Sequence, residues 1–157
     1  MKSFVLLALL IGLLPLKRDV KVVKWTTLEQ YINQKNDTIK VINFWATWCK
    51  PCMEELPYFE KMHRQYQDKN VEVLLVSLDQ VSMKNKIKAS LEKNGITAKV
   101  ILLDEVNFNK WIDHVDTTWS GAIPATLIIA KNNKSKHFYE KQFTLPELEG
   151  LIQSLNP

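Results

Sequence analysis

The sequence predicts an α/β fold, a central mixed sheet flanked by helices, and three observations predict it. Two apolar, β-type runs, Thr38 to Phe44 and Val71 to Leu78, enclose an amphipathic helical pattern, the order of a right-handed β-α-β unit with parallel strands. Ala125 to Ala130, the polar Asn132-Asn133 pair and Lys136 to Tyr139 form a hairpin signal, which adds antiparallel strands. Thr144 and Glu147 stand at capping-box spacing and open a last amphipathic helix through Leu148, Leu151, Ile152 and Leu155. At 157 residues and 46% hydrophobic content the chain holds one domain with its own core and is too short for two.

The elements follow in order. Thr26 or Thr27 starts a helix with Glu29 and Gln30 at capping-box spacing and Leu28, Tyr31 and Ile32 on one face; Asn36-Asp37 ends it. Thr38 to Phe44 is a short, mostly β-branched and apolar run, the kind that forms a buried central strand. From Cys52 onward, Leu56, Phe59, Met62 and Tyr66 recur at three- and four-residue steps, giving a helix that Pro57 is expected to kink. Ser82 caps a weaker helix through Ile87 and Leu91 to Asn94-Gly95, and Lys99 to Leu103 is a further strand. Phe108, Trp111, Ile112 and Val115 fit one helical face, and Trp45, Trp111 and Trp119 read as core or loop anchors.

Charge narrows the function classes. Of the formal +4, Lys2, Lys17 and Arg18 against Asp19 supply +2, leaving +2 for the remainder. That balance calls for no nucleic acid, and the densest basic stretch, Lys131 to Lys136, lacks interleaved aromatics and reads as a solvated hairpin turn. Lys2 followed by the apolar stretch Phe4 to Leu14 reads as a signal peptide over residues 1–19, followed by a domain over 20–157. The apolar run is short for a membrane span, yet no small-x-small cleavage site follows it, so an uncleaved anchor stays open. Export places the chain in the periplasm or cell envelope, where disulfides persist.

The two cysteines, Cys49 and Cys52, stand three apart between the first apolar strand and the helix. A helix's first turn brings two sulfurs so spaced close enough for a disulfide, and its N–H groups and macrodipole favour a thiolate at Cys49. On count alone the pair is either a structural staple or a redox centre. A zinc site would need two further ligands, and His63, His114 and His137 are scattered, so no metal is expected.

Val41-Ile-Asn-Phe-Trp-Ala-Thr-Trp-Cys-Lys-Pro-Cys52 resembles the active-site stretch of the thioredoxin superfamily, and Gly121-Ala-Ile-Pro-Ala-Thr-Leu-Ile-Ile129 resembles its cis-proline loop and following strand. With the leader and the extra segment at residues 79 to 103, the resemblance is to the exported TlpA/ResA-like thiol-disulfide oxidoreductases and spans roughly residues 22 to 155. It implies a thioredoxin-like fold with an inserted helix/strand segment before the cis-proline loop. It also implies that Cys49 attacks, Cys52 resolves, Trp48 is the aromatic before the attacking cysteine, and Pro124 with the backbone of Ile123 lines the client groove. Asn43 stands where cytosolic thioredoxins carry a buried aspartate, and Glu55, three residues beyond Cys52, is the implied acid/base. A plainer role for Glu54 and Glu55 is to favour the helix dipole.

The resemblance implies protein disulfide substrates and an upstream membrane or envelope thiol electron donor, with no bound cofactor, since the chain shows no nucleotide-binding glycine motif. Lys50-Pro51 between the cysteines lacks the histidine of strongly oxidising pairs, which favours a reductase over a disulfide-forming oxidase. A redox-inert thioredoxin-like binding module with a structural disulfide is the alternative from another class. A thiol peroxidase is the third, and Thr47-Trp48-Cys49 lacks the Thr-x-x-Cys spacing of peroxiredoxins.

Overall fold

The computed structural model describes residues 19–155; the leader expected over residues 1–19 lies, but for Asp19, outside them. Six strands form one sheet in the order β1-β4-β3-β2-β5-β6. They are β1 (Lys21–Val23), β2 (Ile39–Trp45), β3 (Val71–Ser77), β4 (Lys99–Leu103), β5 (Ala125–Ile129) and β6 (Lys136–Tyr139). The first four run parallel, whereas β5 pairs antiparallel with both β2 and β6, so the sheet is mixed.

Among the described residues five α-helices cover it: α1 (Trp25–Asn33), α2 (Lys50–Tyr66), α3 (Lys84–Lys93), α4 (Ile112–Val115) and α5 (Leu145–Leu155). Alternation along β2 decides which side chain meets which layer. Ile39, Val41 and Trp45 pack with Leu56 and Phe59 of α2, Ile87 and Leu91 of α3, and Leu148 and Ile152 of α5. Ile42 and Phe44 point the other way, to Leu28 and Ile32 of α1 and Ile112 and Val115 of α4. All seven residues of β2 are buried, including the polar Lys40 and Asn43, which fits a central strand covered on both faces. Asn43 shares the α2 side, the one polar group of that side on β2.

Four local expectations are corrected. Helix α1 begins at Trp25 without a side-chain cap on the Thr residues; Glu105 Oε1 accepts the Trp25 N–H at 3.2 Å instead. It stops at Asn33, before Asn36-Asp37, where the buried Lys40 Nζ donates to the carbonyls of Tyr31 (2.7 Å) and Gln34. Ser82 lies in a 3-10 turn ahead of α3 and caps nothing. The helix expected from Phe108 to Val115 is split into a 3-10 turn and the four-residue α4. Trp111, between them, is drawn into an aromatic cluster, with ring centroids 5.7 Å from Trp25, 6.1 Å from Phe44 and 5.5 Å from Trp119. Pro57, for its part, does not end α2.

Candidate active site

Beyond Trp45 the chain leaves β2 through a turn closed by Cys49 N–H to the Ala46 carbonyl at 3.1 Å, which makes Cys49 the N-cap of α2. Pro51 sits in the first helical turn, where its missing N–H costs nothing. Cys49 and Cys52 form a disulfide with S–S 2.04 Å and Cα–Cα 5.3 Å. The Cys52 N–H donates to Cys49 Sγ at 3.3 Å, and the other side of that sulfur lies 3.7 Å from the Ile123 carbonyl oxygen. One N–H and the positive end of a 17-residue helix therefore point at Cys49 Sγ, an arrangement that favours a thiolate there once the disulfide opens.

The resemblance implies an exposed Cys49 and a buried Cys52, and the first of these is corrected. Cys52 is fully buried, but Cys49 is only 5% exposed, because its sulfur lies between the first turn of α2 and the Ile123 loop. The exposed residue is Trp48, at 67%. The Ile123-Pro124 peptide is cis, and Pro124 is buried directly ahead of β5. Pairing of Phe44 with Ala125 and of Asn43 with Thr126 carries this loop to the end of β2 that bears the cysteines.

Glu55 lies one turn beyond Cys52 on the same side of α2, since residues three apart on a helix are neighbours. It is fully buried; Asn43 Nδ2 donates to Oε1 at 2.8 Å and the Phe143 N–H donates to Oε2 at 2.7 Å. Burial raises the Glu55 pKa to about 7, and these two donors, which favour the charged form, only partly oppose it. Asn43 also donates to Thr126 Oγ1 at 3.1 Å, joining β2, α2 and β5 in one buried polar group. Lys50 stays in solvent, its Nζ 3.9 Å from Glu54 Oε1.

Sequence reasoning missed three supports. Asp79, just past β3, accepts the N–H and hydroxyl of Thr47. Trp119 Nε1 donates to the Ala122 carbonyl at 2.8 Å, and the Glu140 carboxylate accepts the N–H and hydroxyl of Ser120. The Phe143 N–H on Glu55 is the third. Asp79 left a trace in the sequence, as an acidic residue directly following a nearly continuous apolar run, and Trp119 was legible as a loop anchor although its bond to Ala122 was not. Among the described residues no group of three His, Cys, Asp or Glu could hold a metal, and no helix is long and apolar enough to cross a membrane.

A thioredoxin-like α/β fold with a Cys-x-x-Cys disulfide at a helix N-terminus, facing a cis-proline loop, is the class these features define. The chain belongs to the AhpC/TSA family, whose model matches residues 15–138. It is 30% identical over 118 residues to a thiol-disulfide oxidoreductase ResA of Bacillus cereus. That match takes in 74% of this chain, which spans 62% of the relative's length. Among solved structures, a thioredoxin family thiol:disulfide interchange protein from Chlorobium tepidum superposes with TM-score 0.67 at 15% identity, covering 82% of this chain and 85% of that one. A secreted thiol-disulfide isomerase from Corynebacterium glutamicum gives 0.66 at 17% identity, with 76% and 71% covered. These likenesses establish the fold.

Proposed function

We propose that this chain is a thiol-disulfide oxidoreductase that reduces disulfides of exported proteins. The observation that carries the reading is the seating of Cys49 Sγ, with the Cys52 N–H on one side and the Ile123 carbonyl on the other. A purely structural staple needs neither contact. ResA, named for the same activity, supports it. Residues 1–19 act as the export signal, or as a retained tether, and place the domain in the periplasm or cell envelope.

In the reduced protein, the Cys49 thiolate attacks one sulfur of a client disulfide. A Cys49–client disulfide forms, the client S–S bond breaks, and the client's other sulfur leaves as a thiolate that takes up a proton. Cys52 then attacks Cys49 Sγ, re-forming the Cys49–Cys52 bond and expelling the client's second sulfur. Two electrons pass from the dithiol to the client, and an upstream thiol donor restores the dithiol. Cys52 is buried among apolar groups, so its thiol resists ionising. Glu55, with a pKa near 7, takes that proton and acts as general base, a role commonly worth about 10²- to 10⁴-fold. The client strand lies along Ile123, with Trp48 beside it.

Trapping tests the whole scheme. Reduced Cys52→Ala protein mixed with insulin is expected to accumulate a covalent adduct that dithiothreitol dissolves, whereas Cys49→Ser protein gives none. Adduct-free Cys52→Ala protein would reject the mechanism. Direction is tested by equilibration with glutathione: a potential below about −200 mV fits a reductase, and one near about −120 mV would make the chain an oxidase.

A further inference from the structure

We infer that Asp79 is a positioning residue for the reacting cysteine: through Thr47 it sets where the Trp48-Cys49 turn stands, and so where Cys49 Sγ meets its two contacts. The inference rests on the thiol-disulfide reading of Cys49. It starts from an interruption in the sheet. The parallel pair of β2 and β3 runs in register to Trp45 and Ser77, and Leu78 N–H to the Trp45 carbonyl at 2.8 Å adds one further rung. Past that rung β2 must turn away to place Cys49 on α2, so the Thr47 N–H has no backbone carbonyl of β3 to reach.

Asp79 supplies the acceptor. Its Oδ2 takes the Thr47 N–H at 2.9 Å and its Oδ1 takes the Thr47 hydroxyl at 2.7 Å, a two-point hold on one residue. The carboxylate is itself fixed, because Ser77 Oγ donates to Oδ2 at 2.9 Å and the Asp79 N–H donates back to Ser77 Oγ at 3.2 Å. Asp79 is 4% exposed, so water does not substitute readily for these partners. Hydrogen bonds to an ionised acceptor are about twice as strong as neutral ones, which suits a short turn carrying an exposed Trp48.

Thr47 is two residues from Cys49, and the same turn closes through Cys49 N–H on Ala46. A turn released from Asp79 lets Cys49 Sγ drift from the Cys52 N–H at the head of α2, and the thiolate loses that stabilisation. The positioning role therefore predicts a higher Cys49 pKa when the clamp is cut. Simple electrostatics predicts the opposite sign, since removing a nearby carboxylate eases ionisation of a thiol. The charged groups on the neighbouring element, Lys50, Glu54 and Glu55 on α2, are common to all the variants and leave this contrast intact.

The experiment is the pH profile of iodoacetamide alkylation of the reduced protein, with the glutathione redox equilibrium measured alongside, for wild type, Asp79→Ala, Asp79→Asn, Thr47→Ala and Thr47→Ser. Asp79→Ala is expected to move the Cys49 profile to higher pH and to slow alkylation at pH 7 by roughly tenfold, the weight of one charge-assisted hydrogen bond. Thr47→Ala moves it in the same direction by less, and Thr47→Ser, which keeps the hydroxyl, restores the wild-type profile. Asp79→Asn, which keeps one acceptor oxygen, falls between Asp79→Ala and wild type. Unchanged profiles in folded Asp79→Ala and Thr47→Ala overturn the inference, as does a shift to lower pH. Should Asp79→Ala fail to fold, Thr47→Ala against Thr47→Ser decides alone. Wild-type protein inert to glutathione disulfide would instead sink the oxidoreductase reading, separating that failure from this one.

Discussion

Asn43 of β2 and Glu55 of α2 meet in the interior at 2.8 Å, the amide donating to the carboxylate. Asn43 thus stands beside the acid/base candidate as its hydrogen-bond donor and is not itself a titratable group. Burial without a cationic partner is what raises the Glu55 pKa.

That raised value makes stability depend on pH. The folded state binds the Glu55 proton more tightly than the unfolded chain does. The resulting stabilisation is complete below about pH 4.5 and is lost as pH rises through about 7. A shift from 4.5 to about 7 corresponds to roughly 3 kcal/mol. Glu55→Gln, which does not titrate, is expected to remove this slope, so its stability relative to wild type rises across that interval by up to about 3 kcal/mol. Urea unfolding at pH 4.5 and 7.5 checks it; parallel pH dependences would refute the assignment.

The same substitution separates the chemical role from a helix-dipole role. Glu55→Gln is expected to slow resolution of a preformed Cys49 mixed disulfide at pH 7 by about 10²-fold or more, while leaving alkylation of Cys49 within about twofold. Stopped-flow release of thiol from a pre-loaded mixed disulfide reads the first quantity. Equal resolution rates would leave Glu55 a bystander.

Trp119 anchors the loop that leads to the cis Ile123-Pro124 peptide. Its indole N–H reaches the Ala122 carbonyl and its ring lies 4.7 Å from Phe44 and 5.5 Å from Phe138. Trp119→Phe keeps an aromatic ring and loses the donor, which costs about 1 to 2 kcal/mol. The proposed docking of a client strand along Ile123 then predicts a raised KM for insulin with little change toward glutathione disulfide.

Lys40 offers a control on the opposite side of the sheet. Lys40→Met removes the donor to the Tyr31 and Gln34 carbonyls at the end of α1. Since Gln34 is exposed and water can replace part of the loss, a destabilisation of about 1 to 2 kcal/mol is expected. The redox potential should stay at the wild-type value; a displaced potential would mean that the two layers are coupled through β2.

Much of this was readable from residue order. The apolar runs of β2 and β3 are local signals, so their bounds come within a residue or two of the structure. Cys49, Cys52, Ile123 and Pro124 also came from local motifs, and the structure brings them together. The buried Trp45, Trp111 and Trp119 follow from their bulk. What was not readable depends on partners far along the chain. The start of α1 involves Glu105, 80 residues away, and α4 is short because Trp111 answers to four aromatic neighbours and not to its own helix. Asp79 looks like any acidic residue after a strand until β2 is laid beside β3.

The β2–β5 ladder has a consequence for biosynthesis. The two thiols exist as soon as residue 52 has been made, but the carbonyl that shields one of them belongs to residue 123 and arrives only when β5 zips onto β2. Until that strand docks, Cys49 lacks its contact with the Ile123 carbonyl. Completion of this site therefore requires the last third of the chain to pack onto the first.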